Sequence, residues 1–380
     1  MAPRRRRRLA GFVTILLAIE LLDELVFGAR EAAWPQIRHD LGLSYAQVGL
    51  LLSVPALVSL AVEPAIGVLG DRGLRRRLVV GGGVVFAGSL LTTALAPSYG
   101  VLLASFVAIY PASGAFVSLS QATLMDADPA NRERNMARWT LAGSVGVATG
   151  PLLVATGAGW RAIFLVYAVF AAVLVVLVRP LRFDGGDEEA GGGFRAAVRE
   201  LRNPRVVRWL VLLELQDLGG DILYGYLALY FVDSVGVDAQ AAALAVAVWT
   251  GADLVGNVIV LRALHRVGGL RWLRATALGV AVVFPAFQLA EGLVPKLVLI
   301  ALLGALHSGW YPISKARLYE ALPGRSGSAM ALASTTGALG AVMPLALGLL
   351  AGRVGIHDAF WLVLLAPLSM LLFVPRPGRV

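Results

Sequence analysis

Apolar runs of about 20 residues recur along the whole chain, and no other feature constrains its fold as strongly. Twelve can be marked, at 9–34, 44–70, 77–97, 99–125, 137–158, 161–179, 209–232, 239–261, 273–290, 297–315, 327–351 and 357–375. A helix of that length crosses a hydrocarbon core about 30 Å thick, and in lipid only helices and closed barrels satisfy their own backbone polar groups. With 58% hydrophobic and 15% charged residues in 380, no soluble core could cover the apolar surface. The expectation is an all-α membrane protein of twelve transmembrane helices.

The net charge of +9 could suggest nucleic acid, so the placement of Lys and Arg decides its meaning. With the N-terminus in the cytoplasm, 28 of the 33 basic residues fall on cytoplasmic segments, leaving Arg30, Arg38, Arg161, Lys296 and Arg353 in or near the outer half. This is the positive-inside asymmetry. It makes the lipid bilayer the partner rather than nucleic acid, and predicts an inner (plasma) membrane protein with both termini cytoplasmic. The five arginines at 4–8 also resemble the start of a signal peptide. No small-residue cleavage site follows, so the first span is expected to be retained. Cysteine is absent, and His39, His265, His307 and His357 lack metal spacing or a partnered nucleophile. No enzyme constellation, metal site or cofactor is expected.

Between spans six and seven lies "FDGGDEEAGGGFRAAVRELRNPR", 183–205, a Gly- and charge-rich linker followed by a short amphipathic helix at the inner surface. It divides the chain into an N-terminal six-helix bundle at 1–180, a cytoplasmic linker at 181–205 and a C-terminal six-helix bundle at 206–380. A shift of 194 residues lays Glu20 on Glu214, Asp23 on Asp217, Gly42 on Gly236 and Arg72 on Arg266. The same shift lays Arg77 on Arg271, Ser120 on Ser314, Pro129 on Pro323, Gly143 on Gly337 and Gly146 on Gly340. Six spans is an even number, so the copies start on the same side: a parallel, pseudo-symmetric repeat expected to enclose a midplane site.

The first span carries "ELLDELVFGAR", 20–30, against the grain of its apolar setting. An Asp at the centre of a spanning helix costs roughly 2.5 to 3.5 kcal/mol, while a Leu or Val returns only about 0.3 to 0.6. At 100° per residue Glu20, Glu24, Phe27 and Glu31 share one face, with Asp23 and Arg30 on its flank. In the seventh span Glu214, Asp217 and Asp221 share a face, with Tyr224 at its edge. Two acidic stripes at similar depth predict a wet cavity lined by both. Glu63 and Asp253 are further intramembrane acids, and His307, Trp310, Tyr311 and Lys315 in span ten suit the lining of an amphiphile site. Trp34, Trp160, Trp209 and Trp272 at span ends read as interfacial anchors.

Two further motifs carry a family resemblance. "GVLGDRGLRRR", 67–77, resembles the G-x-x-x-D-R-x-G-R-R loop of the major facilitator superfamily through Gly67, Asp71, Arg72, Arg75 and Arg76, with Leu74 in place of the second glycine. "GSVGVATGPLL", 143–153, resembles the antiporter motif of that superfamily through Gly146, Gly150 and Pro151. The resemblance implies an inner gate at the first motif and helix contact with a bend at the second. Span four, "VLLASFVAIYPASGAF", lacks the arginine of many proton-coupled relatives, so any coupling falls to the acids of spans one and seven.

Glu20, Asp23, Glu24, Arg30, Glu214, Asp217 and Asp221 are therefore the candidate proton and substrate residues, with Phe27, Tyr224, His307 and Trp310 lining the cavity. The expected function is proton-coupled antiport by a monomer, exporting cationic or amphiphilic small molecules by alternating access. Uptake or metal-cation export in the same fold is the first alternative, and a non-transporting membrane sensor the second.

Overall fold

The computed structural model describes residues 3–127, 132–181, 183, 202–321 and 337–375, and among them no strand occurs. The chain folds as two compact units, one of Met1–Leu43 and Leu50–Glu189, the other of Ser44–Gly49 and Ala190–Val380. The surface helix expected in the linker lies outside the described residues, as does the start of span eleven at 327–336.

The first unit contains α1 (Pro3–Leu41), α2 (Tyr45–Leu69), α3 (Arg75–Ala94), α4 (Tyr99–Ser113), α5 (Leu119–Ala127), α6 (Arg132–Ala155) and α7 (Trp160–Val178). A π turn, Gly114–Ser118, joins α4 and α5 into one span, Tyr99–Ala127. The chain turns from α2 to α3 through Gly70–Leu74, where Gly73 takes a φ of 83° that side chains resist.

The second unit contains α8 (Pro204–Tyr230), α9 (Ala239–Val267), α10 (Gly269–Leu289), α11 (Leu293–His307), α12 (Trp310–Glu320), α13 (Ala338–Val354), α14 (Ile356–Ala359) and α15 (Leu365–Phe373). Local chemistry sets the starts. The Asn203 side chain accepts the Arg205 N–H at 3.0 Å with Pro204 in the first turn of α8, and Asp238 accepts the Ala241 N–H at 2.7 Å to cap α9. Span ten is discontinuous: α11 stops at His307, Ser308 is extended (φ −56°, ψ 139°), and Gly309 at φ 84° admits the turn into α12.

Among the described residues, eight helical stretches are long and apolar enough to cross a membrane, and Gly340–Val354 is a shorter apolar one. Helices α1, α6 and α8 fall outside that set. The acids of α1 and α8 put at least three carboxylates into each apolar stretch expected to span, and in α6 arginines and glycines lower the apolar content.

The tryptophans correct the sequence reading. Trp34, Trp160 and Trp209 are buried inside the units rather than set at an interface. The Trp34 Nε1–H donates to Glu31 Oε2 at 2.8 Å and the Trp160 Nε1–H to Asp40 Oδ2 at 2.7 Å. An acid within the protein satisfies each polar edge, so the ring is drawn inward. Trp272 is half-buried and donates to the Ser308 carbonyl at 3.3 Å.

Candidate functional site

In the first unit the site is built by α1 packed on α6, the most extensive helix pair among the described residues. Glycines permit it. A Cβ at Gly28 would lie 2.5 Å from the Val147 carbonyl oxygen, and one at Gly150 would lie 2.5 Å from the Ala29 nitrogen. At Gly146 it would meet Glu24 Cβ and the Leu21 oxygen at 2.7 Å, and at Gly143 the Glu20 carboxylate at 2.7 Å. Pro151 packs beside Gly28. The residues of the second motif therefore seat the acid-bearing stretch of α1, since small side chains allow helix backbones to approach within a membrane.

Glu20 is 9% exposed and hydrogen-bonded to the buried Trp139. Asp23 Oδ1 accepts from Ser113 Oγ at 2.9 Å, just before the π turn of span four, and interacts electrostatically with Arg30 and Glu63. Glu24 interacts with Asp23 and Arg30. Glu63 Oε1 accepts from Ser59 Oγ at 2.6 Å and lies against Gly114. Three carboxyl groups thus share one stretch of α1 with a single cation.

That cation is committed elsewhere. Arg30 is 7% exposed and Glu31 2%. The Arg30 guanidinium pairs with Glu31, its Nε–H donating at 3.0 Å, and its Nη1–H donates to Tyr110 Oη at 2.8 Å. Phe27 stacks under it, 5.0 Å from ring centroid to Cζ. Phe27 is thereby a partner of Arg30.

In the second unit the equivalents sit on α8. Glu214 and Asp217 are half-buried, whereas Asp221 is exposed beside Gly340, where a Cβ would lie 3.1 Å from its Oδ2. Asp217 interacts electrostatically with His307, Glu214 and Lys315. Tyr224 packs edge-on against Trp249, with ring centroids 6.0 Å apart. His307 lies between Trp249 at 5.6 Å and Trp310 at 5.1 Å. Trp310 is buried with its N–H donating to Thr276 Oγ1 at 2.9 Å, so it frames His307 with no free polar edge of its own. Among the described residues no group of three or more His, Cys, Asp or Glu is placed to hold a metal ion.

The sequence profile of the Major Facilitator Superfamily matches residues 25–342. The chain belongs to that superfamily. It is 31% identical to the drug efflux pump JefA of Mycobacterium tuberculosis over 142 residues, 36% of this chain and 27% of that protein. It is 24% identical to the fosmidomycin resistance protein of Escherichia coli over 385 residues, 97% of this chain and 93% of that one. The chain spans less than half the length of the first curated relatives it matches. Among solved structures, the nucleoside transporter NupG superposes with a TM-score of 0.80 at 13% identity, covering 96% of this chain and 98% of that one, a likeness of fold alone. Members of this superfamily are transporters, not enzymes, and the chain is a multi-pass membrane protein.

The loop motif of the Major Facilitator Superfamily is ordered here by its arginines. Arg75 is buried and its Nη1–H donates to Asp126 Oδ2 at 2.7 Å, while the Arg76 Nη2–H donates to the Arg179 carbonyl at 2.6 Å past the end of α7. Arg72 is exposed, and Gly67 has open space around its Cα. The Asp71 side chain lies outside what the structure describes. Sequence reasoning missed Ser113 and Asp126 as partners, and it missed both helix irregularities. Ser and Gly inside apolar runs, at 113–114 and 308–309, were the available signal.

Proposed function

We propose that this chain is a secondary active transporter of twelve spanning helices that exports cationic or amphiphilic small molecules in exchange for protons. It works by alternating access, as a monomer in the inner (plasma) membrane with both termini cytoplasmic. The observation that carries this reading is the cluster of Glu20, Asp23 and Glu24 on one stretch of α1, where Arg30, the basic residue that acts on Asp23 and Glu24, is itself held by Glu31 and Tyr110. Intramembrane acids without a dedicated counter-ion mark ion and proton routes. A carboxyl that holds either a proton or an organic cation, never both, meets the minimal condition for exchange. The names of the two relatives, a drug efflux pump and a fosmidomycin resistance protein, support export.

Ethidium movement in everted membrane vesicles energised by an imposed pH gradient tests it. The native chain is expected to accumulate ethidium in the vesicle lumen, and Asp23→Asn to reduce that accumulation at least tenfold while still inserting in full amount. Undiminished accumulation by Asp23→Asn would refute the role given to the α1 acids.

A further inference from the structure

The internal repeat reaches the hydrogen-bonded partners of the acids. The shift of 194 that carries Asp23 onto Asp217 also carries Ser113 onto His307, Gly114 onto Ser308, Ser59 onto Asp253 and Glu63 onto Asn257. In the first unit Ser59 donates to Glu63, one turn on. In the second the same two positions are bonded with the acid exchanged, Asn257 Nδ2 donating to Asp253 Oδ2 at 3.0 Å. Gly114 touches Glu63, and its counterpart Ser308 has its Oγ 3.1 Å from Asp253 Oδ1. Both units interrupt the helix at this register, with the π turn Gly114–Ser118 in one and the break at Ser308–Gly309 in the other. Helix irregularities of these kinds concentrate at functional sites, and in transporters broken helices hold ion sites. At the centre, an imidazole replaces the hydroxyl that meets Asp23.

The surroundings of His307 fit a proton carrier. Its Nδ1 lies 3.9 Å from Asp253 Oδ1, and Asp253 is held from its other side by Asn257. Two glycines make that approach possible, since a Cβ at Gly256 would fall 2.2 Å from Ser308 Oγ and one at Gly304 would fall 2.6 Å from the Trp249 carbonyl oxygen. His307 is the last residue of α11, so a cation on its ring meets the negative end of that helix as well as Asp253. Its Nε2 is buried and, among the described residues, has no hydrogen-bond partner. The same holds for Trp249 Nε1, in a side chain 1% exposed. Both side chains line one cavity of about 10 Å³, room for a single water-sized group.

The charged groups facing the ring are Asp253 from α9 and Asp217 from α8, the latter with Glu214 and Lys315 acting on it. The neighbours from α10 and the last span are apolar: Val280, Phe284, Val363, Ala366 and Pro367.

We infer that His307, oriented by Asp253, is the proton-carrying group of the second unit. The neutral ring holds its hydrogen on Nδ1 toward Asp253 and takes up a second on Nε2. This rests on the proton-exchange reading above, and it makes the two units unequal: the first carries its proton on carboxyls, the second on an imidazole positioned by a carboxylate.

Four histidines make the ring directly observable. The full chain, purified with ring-15N histidine, is followed by NMR between pH 5 and pH 9, with the His307 signals assigned by their loss in His307→Gln. The expected spectrum shows a neutral Nδ1–H form converting to the doubly protonated ring within this range. Asp253→Asn, which removes the negative charge and turns one of the two oxygens that accept from Asn257 and Ser308 into a donor, is expected to lose the Nδ1–H preference. A His307 ring neutral throughout, or one indifferent to Asp253→Asn, would overturn the inference. A second readout is the ratio of gradient-driven to downhill ethidium flux, expected to fall at least tenfold in His307→Gln; an unchanged ratio also overturns it. If the native chain moves no ethidium at all, the exporter reading fails, and the ring spectra still decide this one.

Discussion

At the scale of single residues, Arg30 shows how a charge can be tolerated at depth. Burying a guanidinium is costly unless it is paired and its donors are used, and here Glu31, Tyr110 and the Phe27 face meet that need. Removing one member leaves the other charged and unmatched. Glu31→Gln is therefore expected to lower the stability of the folded protein by about 3 kcal/mol, read as a fall in the thermal unfolding midpoint. A midpoint unchanged from native would mean that the pair contributes nothing. Asp23 differs in kind, because the hydrogen bond to its Oδ1 comes from an uncharged hydroxyl, Ser113. In the proposed exchange the Asp23 carboxyl takes a proton or a cation, whereas Glu31 is engaged by Arg30 and Trp34.

At the scale of elements, the contact between α1 and α6 depends on backbone approach. Gly150 cannot take even a methyl group without a 2.5 Å clash against the Ala29 nitrogen, a backbone atom that has no rotamer to escape into. Gly150→Ala is expected to cost about 1 to 3 kcal/mol and to depress transport, whereas Gly88→Ala on α3, with nothing within 4 Å, should leave thermal stability unchanged or slightly higher. Equal behaviour of the two variants would remove the packing role assigned to the second motif. Much of this was legible beforehand, because the acids, the glycines and the spans are periodic features of the sequence. The breaks in spans four and ten were not. A π turn or a two-residue gap leaves the apolar run intact in composition, and what fixes it is tertiary: Ser308 bonding to Asp253 and Gly309 under Val260. The tryptophans were misread for a similar reason, since an acid one turn back for Trp34, or on another helix 120 residues earlier for Trp160, takes the indole N–H inside the unit.

At the scale of the whole molecule, the repeat is the frame on which the chemistry is hung. Gly42 and Gly236, matched by the shift of 194, both adopt left-handed backbone, at φ 61° and 79°, just past the acid-bearing helix of their unit. The matched polar positions have diverged in side chain while keeping their bonding partners, as Ser59–Glu63 and Asp253–Asn257 show. The proton role proposed for His307 builds on this matched geometry with exchanged side chains. Protons and cations are proposed to exchange at the acids of this frame. The most direct test of that exchange is a pH recording on the purified, weakly buffered chain near neutral pH while tetraphenylphosphonium is added. Proton release is expected to rise with the amount of cation bound and to be reduced in Asp23→Asn. Cation binding with no proton release would contradict it.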